Sequence, residues 1–178
     1  IEFWGTGSWR YGWYIIGAIS VACLPLSLWA AARLSVPAQR NTAAGGIKLH
    51  LIWRELAGYV GFAMGYIVYL TFLSAWMTDQ QAPALLISAV WIIMGVALIA
   101  SPFVWRGVLA RHASGKPLAM ILTGIAIGSA LPLVLPAGGA VVISAVVFGL
   151  CVFMAPGAIT SFIRQNLPAE SWADAMSL

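Results

Sequence analysis

Five runs of this sequence, 11–32, 51–77, 83–105, 118–135 and 140–162, are long, apolar and almost free of charge. At ~1.5 Å of rise per residue, a helix of that length reaches across a hydrocarbon layer of ~30 Å, or nearly so. In lipid a chain must satisfy its own N–H and C=O groups, so runs of this kind fold as helices. Composition leads the same way. Hydrophobic residues make up 62% of the 178-residue chain and charged residues 8%, where a soluble domain carries about 25% charged residues to wet its surface. The expected fold class is an all-α membrane protein, a polytopic bundle of transmembrane helices.

The connectors carry the breakers and the charge. The stretch 33–50, RLSVPAQRNTAAGGIKLH, is polar and holds Pro37, Gly45 and Gly46, so it reads as a loop. A second loop covers 106–117, and Pro136, Gly138 and Gly139 make a tight turn. With five crossings the loops alternate between two sides. Arg33, Arg40, Lys48, Arg54, Arg106, Arg111, Lys116 and Arg164 fall on one side, and Arg10 alone on the other. Short loops rich in Lys and Arg stay in the cytoplasm. This bias predicts an external segment 1–10 and a cytoplasmic segment 163–178 that leads into a further, truncated helix at Pro168. The expected location is the cell inner (plasma) membrane. Trp4, Trp9, Trp13, Trp76 and Trp105 lie near span ends, where indole rings anchor at the interface. Ile1 stands first in place of Met, and both ends read as cut.

Enzyme chemistry finds no footing. His50 and His112 lie in loops without a Cys, Asp or Glu partner at ligand or catalytic spacing, and there are no paired carboxylates or phosphate-binding loop. Cys23 and Cys151 sit in apolar runs as small hydrophobes. No cofactor or metal is expected. The +4 formal charge is not gathered into a basic, aromatic-interleaved patch, so no nucleic-acid partner is expected either. Glu55 is the one carboxylate inside a run, about a turn from its start and beside Arg54. It is either an interfacial residue paired with a loop cation or a gating, proton-linked group.

The second run is the most informative. At ~100° per residue Gly58, Gly61 and Gly65 share a face, and Gly61 with Gly65 forms a small-xxx-small pair suited to close helix approach. Tyr59, Phe62, Tyr66 and Tyr69 fall on the adjoining face, continued by Leu73, while Phe72 lies toward the glycines. A tyrosine hydroxyl in lipid needs a partner. The stripe is therefore the wall of a solute cavity, joined by Trp91, or an interhelical seam with its hydroxyls bonded. Gly124 and Gly128 make a second close-packing pair, and Pro102, Pro132 and Pro156-Gly157 interrupt their helices; the last is expected to bend the fifth span.

The loop GVLARHASGK, 107–116, resembles the loop motif of major facilitator transporters, Gly-x-Leu-x-Asp-Arg-x-Gly-Arg-Lys. Gly107, Leu109, Gly115 and Lys116 match in kind. Arg111 stands where the family has Asp, His112 where it has Arg, and one residue is inserted. GFAMGYIVYLTFLSAW, 61–76, resembles the seventh helix of the YbfB/YjiJ-like branch, with WRYGW before the first span and NLPAESW near the end as flanking likenesses. The resemblance implies helices six to ten of twelve, with the loop at 33–50 as the central link and the remaining helices of the full-length transporter as partners beside the lipid bilayer. It implies secondary active transport of a small solute by alternating access, with proton coupling. A non-transporting membrane module, a sensor or assembly subunit, is the alternative reading.

Overall fold

The computed structural model describes residues 9–33, 52–135 and 138–176. Segment 1–8, the loop at 34–51 and turn residues 136–137 lie outside the described residues, and with them Glu2, Trp4, Arg40, Lys48 and His50. The chain divides into two compact units, 1–41 and 42–178. The first holds helix α1, Trp9–Arg33, with Pro25 inside it. Its Ser20 and Ser27 hydroxyls donate to carbonyls four residues back, Ile16 at 2.8 Å and Cys23 at 3.1 Å. Arg33 lies over the Trp29 ring at 5.4 Å, a cation held at an aromatic face.

The second unit holds α2 (Trp53–Asp79), α3 (Ala84–Arg111), α4 (Lys116–Val134), α5 (Gly138–Val152), α6 (Met154–Asn166) and α7 (Trp172–Met176), the last preceded by a 3-10 turn at Ala169–Ser171. α5 and α6 together fill one membrane-length span, Gly138–Asn166, so the described residues contain five such spans. Among the described residues every element is helical.

Several boundaries differ from the expected ones for local reasons. α3 continues through Arg111, because nothing in 106–111 stops a helix except a tolerated Gly107. Only residues 112–115 link it to α4, which begins with Lys116 and carries Pro117 in its first turn, where the missing N–H costs nothing. The fifth span breaks at Phe153, ahead of the expected Pro156-Gly157 bend. A proline ring is tolerated in the first turn of a helix but clashes deeper inside, so α6 restarts at Met154 and places Pro156 in that first turn.

α5 is the centre of the second unit, packed most extensively on α3 and α4. Small residues let the backbones approach. A Cβ at position 149 would lie 2.8 Å from the Met94 carbonyl oxygen and 3.0 Å from Ala97 Cβ, and one at 128 would lie 2.9 Å from the Phe148 backbone nitrogen. The Gly124/Gly128 pair thus serves the α4–α5 seam, with Cys151 Sγ filling the space at 124. Gly61 and Gly65 behave otherwise: among the described residues of this unit nothing lies within 4 Å of a Cβ at either position, whereas Gly58 is covered by Leu118 and Leu122. Phe148, Met94, Met77, Ile121, Val90 and Val152 form the most deeply buried apolar set.

Prolines inside these helices leave carbonyls without their i+4 donor. In α3, Pro102 frees the Leu98 carbonyl, and the neighbouring Ser101 hydroxyl donates to it at 2.8 Å. In α4, Pro132 frees the Gly128 carbonyl, and Ser144 of α5 donates to it at 2.6 Å. Near the α5–α6 break the Leu150 carbonyl accepts from the Trp105 indole N–H of α3 at 2.8 Å. Each repair keeps a backbone group satisfied where no water is at hand.

Candidate functional site

The aromatic stripe of α2 turns toward the core. Phe62 and Leu73 are buried, and Tyr59, Tyr66 and Tyr69 are half-buried against the same cluster. Phe62 lies between two tyrosine rings, 5.6 Å from Tyr59 and 4.8 Å from Tyr66 between centroids, and Tyr69 stacks on Phe148 at 3.9 Å. The Tyr69 hydroxyl lies 2.6 Å from Ser144 Oγ. Ser144 has one hydroxyl proton, and it is committed to the Gly128 carbonyl, so the Tyr69 O–H is the donor to Ser144. At this residue the interhelical-seam reading of the stripe holds in atomic detail.

Among the described residues hollows border α2, three of which bear on the stripe. The largest, about 270 Å³, opens between α2 and α4 and is lined by Gly65, Tyr69, Phe72, Trp76, Pro132 and Leu133 among others. Its walls are almost wholly apolar. A second, about 200 Å³, lies between α2 and α6, with Leu56, Tyr59, Pro156, Ile159 and Thr160 in its wall; it is the more polar of the two. A third, about 30 Å³, runs beneath Glu55 and Tyr59 toward Phe162 and Ala175. Of the residues assigned to a solute cavity, Tyr59 and Tyr69 therefore border hollows. Tyr66 is stacked on Phe62. Trp91 donates its indole N–H to Ser74 Oγ at 2.8 Å, tying α3 to α2, and lines none of the three.

The loop motif gathers at the end of the bundle where α2 and α4 begin and α3 and α6 end. Gly115 precedes α4, and the Glu55 carboxylate, reaching over from α2, takes the space where a Cβ at 115 would stand. A side chain at 115 would occupy the position of the carboxylate. An acidic group beside the first turn of a helix faces the partial positive charge of its free N–H groups. Leu109 packs into the core cluster, and its carbonyl accepts from Gln165 Nε2 of α6 at 3.0 Å, while Asn166 Nδ2 donates to the Ala113 carbonyl at 2.6 Å. These bonds fasten the end of α3 to the end of α6 and satisfy carbonyls that a helix terminus leaves free. Gly107, Arg111 and Lys116 are exposed, as are Arg54, Arg106 and Arg164 at the same end. Arg164 lies over the Trp172 ring at 5.1 Å.

Sequence reasoning did not single out Ser144 or Gln165, took Asn166 only as part of the NLPAESW likeness, and read Trp105 as an interfacial anchor, not as a donor to the Leu150 carbonyl. For Ser144 half a signal exists, since counting four residues back from Pro132 names the carbonyl that needs a donor. The other three serve carbonyls 45 to 56 residues away, and no local pattern marks them. Among the described residues no three His, Cys, Asp or Glu side chains gather closely enough to hold a metal ion.

A family model described as "Uncharacterised MFS-type transporter YbfB" matches residues 2–178. No curated protein and no solved structure matches the chain.

Proposed function

The chain belongs to the YbfB-like branch of the major facilitator transporters, and from that premise we propose that it moves a small solute by alternating access with proton coupling, using α2 as a wall of the solute path. Transport itself follows from the family. The mechanism, the coupling and the site are our reading. The observation that carries the site is that, among the described residues, two hollows meet at Tyr59 of α2 and another opens beside Tyr69 of the same helix. The α2–α6 hollow combines apolar walls with the Tyr59 and Thr160 hydroxyls, the mixture that holds a small organic solute and orients it. Tyr66, Tyr69 and Trp91 continue the same side of the bundle as supporting wall.

The end that carries Arg54, Arg106, Arg111, Lys116 and Arg164 is the cytoplasmic one in this reading, by the charge bias of the loops. That orientation puts the amino terminus outside and the carboxyl terminus inside. Glu55 at that end is the carboxylate through which proton coupling would run in this part of the protein; Asp79 stands at the opposite end of the same helix.

A solute screen with the transporter reconstituted in vesicles, with and without an imposed pH gradient, tests the whole reading. Uptake is expected to rise with the gradient. Tyr59→Ala is expected to lower it about tenfold, the loss of a well-placed contact worth ~1.4 kcal/mol. Uptake indifferent to the gradient removes proton coupling, and full activity in Tyr59→Ala removes the α2–α6 hollow as the site. A Glu55→Gln variant with an unchanged pH profile removes Glu55 from coupling.

A further inference from the structure

The two interior proline breaks of α3 and α4 are repaired in different ways, and the difference has a consequence for motion. At Pro102 the repair is local, because Ser101 of the same helix serves the freed Leu98 carbonyl. At Pro132 the donor comes from another helix, and that donor is itself held by a third. Ser144 of α5, fully buried, donates to the Gly128 carbonyl of α4 at 2.6 Å and accepts from the Tyr69 hydroxyl of α2 at 2.6 Å. The same node is closed by packing. The Tyr69 ring stacks on Phe148, and the Phe148 backbone rests on Gly128. Tyr69 and Pro132 then meet again as opposite walls of the 270 Å³ hollow.

We propose that Tyr69, Ser144 and the Gly128 carbonyl form a latch that sets the position of α2 against the bend of α4, with Tyr69 as the releasable member and Ser144 as its positioning residue. The polarity of the chain of bonds makes it a latch. The Ser144 proton stays with the carbonyl, so α2 can withdraw without stranding a backbone acceptor inside the bundle. What is lost is one hydroxyl bond, and the freed Tyr69 O–H then faces the hollow. Among the described residues of the second unit no contact on the outer face of α2 opposes such a movement: nothing lies within 4 Å of a Cβ at Gly61 or Gly65, and Met64, Val68 and Phe72 are exposed. Ser144 is essential to the arrangement only because Pro132 removes the donor that Gly128 would otherwise have within its own helix.

That dependence gives a test that needs no transport assay. The full chain is purified in detergent with Cys23 and Cys151 replaced by Ala, and spin labels are placed at Phe72→Cys and Leu133→Cys, the exposed lips of the hollow. Distances between the labels and thermal unfolding are measured for Tyr69→Phe, Ser144→Ala, Pro132→Ala and the Pro132→Ala/Ser144→Ala double variant. Tyr69→Phe keeps the ring and the Ser144–Gly128 bond, so it is expected to broaden the distance distribution while leaving the unfolding temperature near the parent's. Ser144→Ala is expected to broaden the distribution and lower the unfolding temperature. In the Pro132→Ala background, where the helix serves Gly128 itself, the further drop from Ser144→Ala is expected to be about threefold smaller, the non-additivity of groups that share one bond. An equal drop in both backgrounds overturns the link to Pro132. A Tyr69→Phe distribution as narrow as the parent's overturns the latch.

Discussion

α5 and α2 are both long-span helices of the same bundle, yet they are held by different means. In its most apolar stretch the span containing α5 is 56% buried and α2 only 11%. α5 is gripped along its length, with glycines that bring its backbone against α3 and α4. α2 seats Phe62, Leu73 and Met77 in the core and is otherwise held at points: Glu55 on Gly115, Gly58 under Leu118 and Leu122, Tyr69 to Ser144, and Ser74 to the Trp91 indole. In lipid there is little hydrophobic drive between helices, so close van der Waals contact and hydrogen bonds decide which helices cohere. The contrast separates a cohesive α3–α4–α5 core from a helix fastened by three buried apolar side chains and a few polar and glycine contacts, the helix that the proposed latch would let shift.

The largest expected effect lies in the core. Gly149→Ala puts a methyl 2.8 Å from the Met94 carbonyl oxygen, where backbone must move. A loss of ~2–3 kcal/mol is expected in denaturant titration of the detergent-solubilised chain. The matching change on α2, Gly61→Ala, meets nothing within 4 Å. It is expected to be neutral or to gain up to ~0.5–1 kcal/mol from better helix propensity. Equal losses at the two positions would erase the contrast between the helices.

Next comes the fastening around the α5–α6 break. Trp105→Phe keeps an aromatic body and removes the indole donor to the Leu150 carbonyl. A loss of ~1–2 kcal/mol is expected, the cost of leaving a buried acceptor unserved. A neutral result would show that the Leu150 carbonyl finds another donor and that α3 holds α5 there by packing. Smaller again is Gly115→Ala, which displaces the Glu55 carboxylate from the start of α4. About 0.5–1 kcal/mol is expected, the worth of an acidic group at a helix N-terminus. Adding Glu55→Ala on top of it is expected to cost little more, because the two changes remove one contact.

The spans were legible in the sequence because absence of charge over twenty residues has one physical outcome. The Gly124/Gly128 seam was legible for a related reason: small residues one turn apart make a flat strip wherever they occur. The same spacing at Gly61/Gly65 predicts a strip as well, but spacing says nothing about whether a helix lies on it, and in this structure none of the described residues does. Tyr69 shows a further boundary. Periodicity gives the face of α2 on which it lies, and lipid demands a partner for its hydroxyl. That the partner is Ser144, seventy-five residues on and already serving a proline-freed carbonyl, depends on how three helices meet. The remaining site residues divide likewise. Tyr59 stands at the hollows by virtue of its face, while the contact of Glu55 with Gly115 depends on a neighbour that no local pattern names.

The smallest expected effect is a gain, at the other end of α2. Gln81 is the non-glycine residue with positive φ among the described residues, at 55°. Its N–H donates to the Thr78 carbonyl and the Ala82 N–H to the Met77 carbonyl, each at 2.9 Å, the paired bonds that close a helix through a left-handed residue. Met77 and Ala82 lie against the core cluster beneath that turn, so the turn is worth keeping despite the strain. Glycine enters this region without the Cβ clash that burdens glutamine. Gln81→Gly is therefore expected to raise stability by ~0.5 kcal/mol, after the larger chain entropy of glycine in the unfolded state is set against the relieved strain. A clear loss would mean that the glutamine side chain itself holds the turn, and that the Asp79 end of α2 is fastened more firmly than the backbone bonds of the turn imply.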